Sequence, residues 1–168
     1  MNDNKVCWYV IYTKPRHEKK VVEQLSYLKV QHFLPTMRTL KIFGIRKKYV
    51  HIPLFPSYVF VKPDGVGQYF ESLHIPGVLQ YVKTGNQISG ISETIINQLR
   101  AIGKDLHDNI QVSSEKFNAG SILNISAGPF TGYPCEVIQH KGKNKILVRI
   151  ELLRRNVLLD LPEQYLTN

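Results

Sequence analysis

The side chains able to make or break bonds are few and poorly placed for it. Cys7 is a nucleophile in principle, and any of six histidines could serve as its base. It stands, however, in the apolar run Cys7-Trp8-Tyr9-Val10-Ile11-Tyr12, where a cysteine acts far more often as a small hydrophobe than as a thiolate. Cys7 and Cys135 lie far apart and offer no CxxC, no zinc-ligand spacing and no disulfide framework. There is no Gly-rich phosphate loop, no HExxH and no DxD-like acid cluster. Residues 1–102 hold only six acids, which makes a two-metal site hard to build. No catalytic residue, metal or cofactor is expected, and the chain reads as a binding protein rather than an enzyme.

What the chain has in quantity is positive charge. Lys and Arg number 22 against 13 Asp and Glu, for a net charge of +9 and a pI near 9.6. The excess is uneven: residues 1–102 carry a net +8, residues 103–116 a net −1 and residues 117–168 a net +2. From Gln24 to Pro63 there is no acid, but there are seven bases: Lys29, Arg38, Lys41, Arg46, Lys47, Lys48 and Lys62. An acid-free stretch of this length favours a polyanionic partner over a merely solvated face. Charge alone does not separate DNA from RNA or from an acidic protein. Two clusters stand out. Lys14, Arg16, His17, Lys19 and Lys20, with Gln24 beyond them, surround the start of a helix. Arg46, Lys47 and Lys48 sit at a turn, where they suit phosphate contacts better than base reading. Single-stranded nucleic acid also needs stacking platforms, which Tyr27 or His17 could supply.

The elements that position these residues follow from periodicity. Cys7–Tyr12 reads as a buried strand. Pro15 is tolerated in a first helical turn, and Val21, Val22, Leu25 and Leu28 mark one face of the helix that follows. His32–Pro35 reads as a short strand, and Met37–Ile42 with Lys48–Ile52 as a hairpin with a basic tip. Phe55–Val61 is a strand, Val66–Leu73 a short helix and Val78–Lys83 a strand. Ser92, as N-cap, precedes a helix with Ile95, Ile96, Leu99 and Ile102 on its apolar face. The polar stretch 104–116 reads as a linker in which Ile110 and Val112 dock weakly. Short strands then recur at Ile122–Ile125, Glu136–Ile138, Ile146–Ile150 and Val157–Leu161, a spacing that suggests a small barrel. Its expected core is Ile122, Ile125, Val137, Ile146 and Val148, or their alternates, with Phe130. On strand Phe55–Val61, Tyr58 and Phe60 share one face and Val59 and Val61 the other, and either face could be core. Trp8 is expected at the core edge. No apolar run approaches the roughly 18–20 residues of a membrane span, and the N-terminus does not read as a signal peptide, so a cytoplasmic protein with no membrane partner is expected.

Three stretches resemble one family. Trp8-Tyr9-Val10-Ile11-Tyr12-Thr13-Lys14-Pro15-Arg16 is similar to the opening of NusG-type transcription elongation factors. Pro53-Leu54-Phe55-Pro56-Ser57-Tyr58-Val59-Phe60-Val61 resembles their aromatic strand, and looks closer to the RfaH-like and UpxY-like antiterminators. Phe117-x-x-Gly120 with Gly128-Pro129-Phe130-Thr131-Gly132 resembles the start of a KOW domain, with Cys135 standing where a glycine is usual and Arg154-Arg155 where Gly-Arg is frequent. The resemblance implies an α+β protein: an NGN α/β sandwich over residues 1–103, its mostly antiparallel sheet flanked by helices, a linker over 104–116, and a small all-β, SH3-like KOW barrel over 117–168. It implies a monomeric, operon-specific elongation and antitermination factor. Phe55, Pro56, Tyr58 and Phe60 would bind the clamp helices of RNA polymerase. Lys14, Arg16, His17, Lys19, Lys20 and Gln24 would meet the non-template single strand, and Arg46, Lys47 and Lys48 upstream duplex DNA. Gln68, Tyr69, Ser72 and His74 would face the opposite jaw. Tyr133, Leu152, Leu153 and Arg155 would meet a small-subunit ribosomal protein or Rho. The second reading is a ribosome-associated or RNA-binding KOW protein with no polymerase contact. In RfaH the C-terminal domain can fold as a helical hairpin; the β-branched and turn residues here predict strands instead.

Overall fold

The computed structural model describes residues 7–105, 110–125 and 130–160. In chain order these form β1 (Tyr9–Thr13), α1 (Glu18–Tyr27), β2 (Gln31–Phe33), β3 (Thr36–Phe43), β4 (Arg46–Pro53), β5 (Tyr58–Lys62), α2 (Gly65–Leu73) and β6 (Val78–Tyr81). Then come β7 (Lys83–Thr84), β8 (Gln87–Ile88), α3 (Glu93–Asp105), β9 (Ile110–Ser113), β10 (Ser121–Asn124), β11 (Pro134–His140), β12 (Lys143–Ile150), a 3-10 turn (Glu151–Leu153) and β13 (Arg155–Asp160). Among the described residues no helix is long and apolar enough to cross a membrane. The chain divides into two units: Met1–Thr36 with His51–Glu93, and Met37–Val50 with Thr94–Asn168.

The first unit is built on an antiparallel sheet of order β2-β5-β1-β6. The β1–β5 register sets Val10 beside Phe60 and Ile11 beside Val59. One face of the sheet, Ile11, Val59, Val61 and Tyr81, packs with Val21 and Leu25 of α1 and with Ile75; Tyr69 and Leu73 of α2 close its margin. Val21 and Leu25 are four apart, so both point from one side of α1. The helix stops because Lys29 turns left-handed at φ 55, which lets the Lys29 N–H reach the Ser26 carbonyl and the Val30 N–H reach the Leu25 carbonyl at 2.9 Å. That is the Schellman closure, and its usual apolar contact is present, since Leu25 and Val30 join the same cluster. On the opposite face Trp8, Val10 and Phe60 are fully buried. Trp8, expected at the core edge, lies inside, and its indole N–H donates to Glu93 Oε2 at 2.7 Å. Residues 83–88, of which 83 was expected to close a longer strand, form the small β7–β8 hairpin instead.

The second unit holds an antiparallel sheet of order β10-β11-β12-β13-β9. Residues 110–113, expected within a linker, form a strand: Val112 stands opposite Val157 and Ile110 opposite Leu159. Ile125, Phe130, Ile146 and Val148 are buried as expected. Ile122 is exposed and Val137 only partly covered, while Ile138, Leu147 and Leu158 cluster with Phe117. The correction follows from register. Ile122 sits on edge strand β10 opposite Glu136, at the margin of the face on which Leu147 and Leu158 cluster, where the sheet ends. There Arg149 grips Glu136 through Nε at 2.7 Å and through a second nitrogen at 2.8 Å, and donates to the Asn118 carbonyl. The Arg149 guanidinium holds the Glu136 carboxyl below its usual range, helped by the Gly120 N–H. Gly120 is needed there, because a Cβ would stand 2.2 Å from the Val137 carbonyl oxygen. Lys145, bonded to Asp160 at 2.8 Å, likewise lowers that carboxyl. In the same unit, Gln98 of α3 donates to the Pro134 carbonyl at 3.0 Å.

Candidate functional site

The expected aromatic surface divides. Phe55 is 2% and Phe60 0% exposed, so neither ring is an open anchor; this corrects the expectation of an accessible Phe55–Phe60 ledge. The reason lies in the position of β5. It is an inner strand with both faces covered, so Val59, Phe60 and Val61 are all buried and alternation selects no open side. The Phe60 ring packs 6.2 Å from Phe33 and 6.0 Å from Phe55. What remains at the surface is Pro56, exposed, and Tyr58, partly exposed, whose ring lies 5.3 Å from that of Tyr12. Tyr12 was not singled out from sequence; its pairing with Tyr58 needs the strand register.

The basic cluster before α1 is a braced elbow. Arg16 adopts φ 64, a conformation costly to a residue with a Cβ. Its neighbours are fixed by backbone bonds: the Lys14 N–H donates to the Gly77 carbonyl at 2.8 Å and the His17 N–H to Lys14 at 3.1 Å. Gly77, at φ 99, lies against the His17 ring, and a Cβ there would stand 2.9 Å from it. His17 Nδ1 meets the Pro15 carbonyl at 3.1 Å, which places its proton on that nitrogen. Beneath the elbow, buried Glu18 accepts the Ser57 N–H at 2.7 Å, and the Ser57 carbonyl accepts the Thr13 N–H at 2.8 Å. Ser57 itself is left-handed at φ 68. The elbow and the turn before Tyr58 are thus tied together through Glu18 and Thr13.

Lys14, Arg16, Lys19, Lys20 and Gln24 are exposed; His17 is half-buried. Lys20, Gln24 and Tyr27 recur at i, i+4 and i+7, so they form a ridge about 10 Å long on the open side of α1. Tyr27 is exposed at its end, available as a stacking ring. Arg46, Lys47 and Lys48 are exposed on β4 of the hairpin, as expected. The sequence did not single out the apolar residues around them: Leu40, Ile42, Phe43, Ile45 and Tyr49 are all exposed. The only signal was that the tip expected to be basic, the five residues from Phe43 to Lys47, also contains Phe43 and Ile45.

On α2, Ser72 is buried with its hydroxyl 2.6 Å from Tyr81 Oη, and Tyr69 packs on the Tyr81 and Phe70 rings. Burial pushes the Tyr81 hydroxyl up. Ser72 and Tyr69 therefore serve the interior, and His74, whose Nδ1 meets the Phe70 carbonyl, closes the helix. In the second unit Arg155 is exposed, Tyr133 and Leu152 are partly covered, and Leu153 is buried, which corrects its expected place on an open loop. Cys7 is partly exposed rather than buried, and burial pushes the Cys135 thiol up to about 11.

Solved structures are similar to this chain. The Thermotoga maritima NusG structure titled for its domain interaction matches with 21% identity and a TM-score of 0.50, over 92% of this chain and 93% of that one. The MjSpt4:Spt5 complex in conformation B matches over 92% and 99% with 16% identity and a TM-score of 0.35. In sequence, residues 6–100 match the family model described as transcription termination factor NusG. That span is more than half of the chain and runs from β1 into α3, so the chain belongs to the NusG family of transcription factors.

Proposed function

We propose that this chain is an elongation and antitermination factor of the RfaH-like and UpxY-like kind, acting on particular operons. The observation that carries the reading is the reach of the family match: residues 6–100 contain the Pro56–Tyr58 surface, the basic elbow and the hairpin together. Tyr58 and Pro56, with Tyr12 beside them, are the anchors for the clamp helices of RNA polymerase; Phe55 and Phe60, being buried, are not among them. A partly exposed aromatic ring anchors well because it buries much area with few rotors. Lys14, Arg16, His17, Lys19, Lys20 and Gln24 track the non-template strand, with Tyr27 as a stacking ring. Arg46, Lys47 and Lys48 meet phosphates of upstream duplex DNA. A protein bound at once to the clamp helices and to the DNA favours the closed clamp by its differential affinity for that state, and pausing and termination fall. Tyr133, Leu152 and Arg155 of a KOW domain would meet a ribosomal protein or Rho.

The test is Tyr58→Ala in the full chain. Loss of an anchor worth about 2 kcal/mol weakens polymerase capture roughly 30-fold, while binding to free DNA persists and Tyr58→Phe behaves as the parent. Equal capture of polymerase by the Ala variant would overturn the assignment. Capture of ribosomes with no polymerase would favour the ribosome-associated reading instead.

A further inference from the structure

The two sides of the β3–β4 ribbon differ in character. Its turn is two residues long, Gly44-Ile45, and Gly44 takes φ 60, which both primed hairpin turns require at their first central position. Side chains alternate along each strand, so Arg38, Leu40 and Ile42 share one side of β3, and Lys47 and Tyr49 share one side of β4. The Arg38 guanidinium lies 3.7 Å over the Tyr49 ring, which joins these two sets into a single face. On that face Leu40 is 45%, Tyr49 53% and Ile42 67% exposed. The other side carries Lys41, Phe43, Arg46 and Lys48, and toward its base Met37, Thr39 and Val50 are half-buried. One side of the ribbon is therefore rich in cations and covered at its base, while the other is apolar at its centre and open along its length.

The open side is a poor surface for nucleic acid. Leu40 and Ile42 offer neither a hydrogen-bond donor nor a flat ring, and the Tyr49 ring has Arg38 stacked on it, which closes that ring face to a base. A second copy of the chain is opposed by charge: the molecule carries +9, and the ribbon lies within the acid-free stretch from Gln24 to Pro63, so two such faces would bring like charges together. An added strand would bond to the backbone edges of the ribbon and leave the apolar face uncovered. A helix covers it, as helices cover sheet faces in layered folds. Two strands lie about 4.8 Å apart, so with its side chains the ribbon is about as wide as one α-helix, roughly 10 Å. From Arg38 to Ile42 the face runs about 14 Å, the length of roughly nine helical residues. Arg38 stands at one end of it and Lys47 at the other, and neither strand holds an acid, so the complementary helix is acidic along its flanks. We propose that Leu40, Ile42 and Tyr49 form a docking face for an acidic amphipathic helix of a partner protein, with its apolar stripe on those three residues and its carboxylates toward Arg38 and Lys47. The ribbon then holds a protein on one side and leaves Lys41, Arg46 and Lys48 free on the other.

The experiment uses the full chain and a fluorescein-labelled synthetic peptide of about 18 residues, long enough to form an isolated helix, with leucines at i, i+3, i+4 and i+7 and glutamates on the remaining face. A scrambled peptide of the same composition and a peptide with lysine in place of glutamate are the controls. In fluorescence anisotropy the chain should bind the acidic amphipathic peptide at least about tenfold more tightly than either control. Leu40→Ser/Ile42→Ser changes exposed positions only; it should weaken peptide binding about tenfold and leave duplex DNA binding as in the parent. Phe43→Ser, on the opposite side of the ribbon, should keep peptide binding. Equal binding of the scrambled peptide overturns the docking face, because charge alone would then account for the affinity. A loss of duplex DNA binding in Leu40→Ser/Ile42→Ser assigns the apolar side to nucleic acid and overturns it as well. Sedimentation of the full chain completes the test: a dimer that Leu40→Ser/Ile42→Ser dissolves makes a second copy the occupant, and the acidic helix is overturned. None of these outcomes depends on how Tyr58→Ala affects polymerase capture.

Discussion

The elbow at Lys14–Lys20 and the hairpin tip at Phe43–Lys48 present similar charge and are held in opposite ways. The elbow is fixed from below: Gly77 fits under His17, Glu18 holds Ser57, and Arg16 is kept in a left-handed conformation. The tip is held by its turn and its own ribbon, with nothing within 4 Å of where a Gly44 Cβ would lie. A two-stranded ribbon is marginal by itself. Rigid placement suits a surface that must meet one partner in one geometry, whereas a projecting ribbon suits a probe that enters a groove.

The two glycines break this comparison most directly. At Gly77→Ala the new methyl meets His17 at 2.9 Å and the backbone is strained at φ 99, so a loss of about 3 kcal/mol is expected in chemical denaturation. Gly44→Ala has the strain, at φ 60, without the collision, and about 1 kcal/mol is expected. If the two cost the same, the elbow is not braced as described. Between them falls Glu18→Ala, which strands the Ser57 N–H in the interior and should cost about 1–3 kcal/mol.

Much of the frame was legible beforehand, because it rests on local pattern. The apolar spacing of Val21 and Leu25, the breaks around Gly44 and Pro76-Gly77, and the β-branched runs of the second unit each specify an element without distant information. What sequence did not yield depends on who lies opposite whom. Phe60 and Tyr58 share one face of the same strand, yet one is sealed and the other half-open, which depends on coverage of β5 and not on β5 itself. Ile122 looked like core until register set it beside Glu136. Val112 looked like linker until it found Val157. The elbow's cations were visible as charge, but its bracing runs from Glu18 to Ser57, a contact between residues 39 apart.

Charge removal sharpens the contrast further. On single-stranded DNA, Lys14→Gln/Arg16→Gln should lower the log–log salt slope by roughly 0.7 per lost phosphate contact. On duplex DNA, Lys47→Gln/Lys48→Gln should lower it by roughly 0.9 per contact. Crossed measurements, elbow variant on duplex and tip variant on single strand, should leave the slopes nearly unchanged. Equal losses on both substrates would make the two surfaces one undifferentiated basic coat.

The smallest expected effect is the most telling about the elbow. Arg16 holds φ 64, where a residue with a Cβ forfeits about 1 kcal/mol and glycine does not. Glycine also loses more backbone entropy on folding, by roughly 0.5–1 kcal/mol. The two effects nearly cancel, so Arg16→Gly should leave stability within about 0.5 kcal/mol of the parent. Single-strand binding should nonetheless weaken, because the guanidinium is gone. Such a pairing, function lost with stability kept, is what strain retained for a partner predicts. A fall in stability beyond about 1 kcal/mol would mean that the Arg16 side chain itself supports the fold, and the elbow would then be a structural corner that happens to be charged.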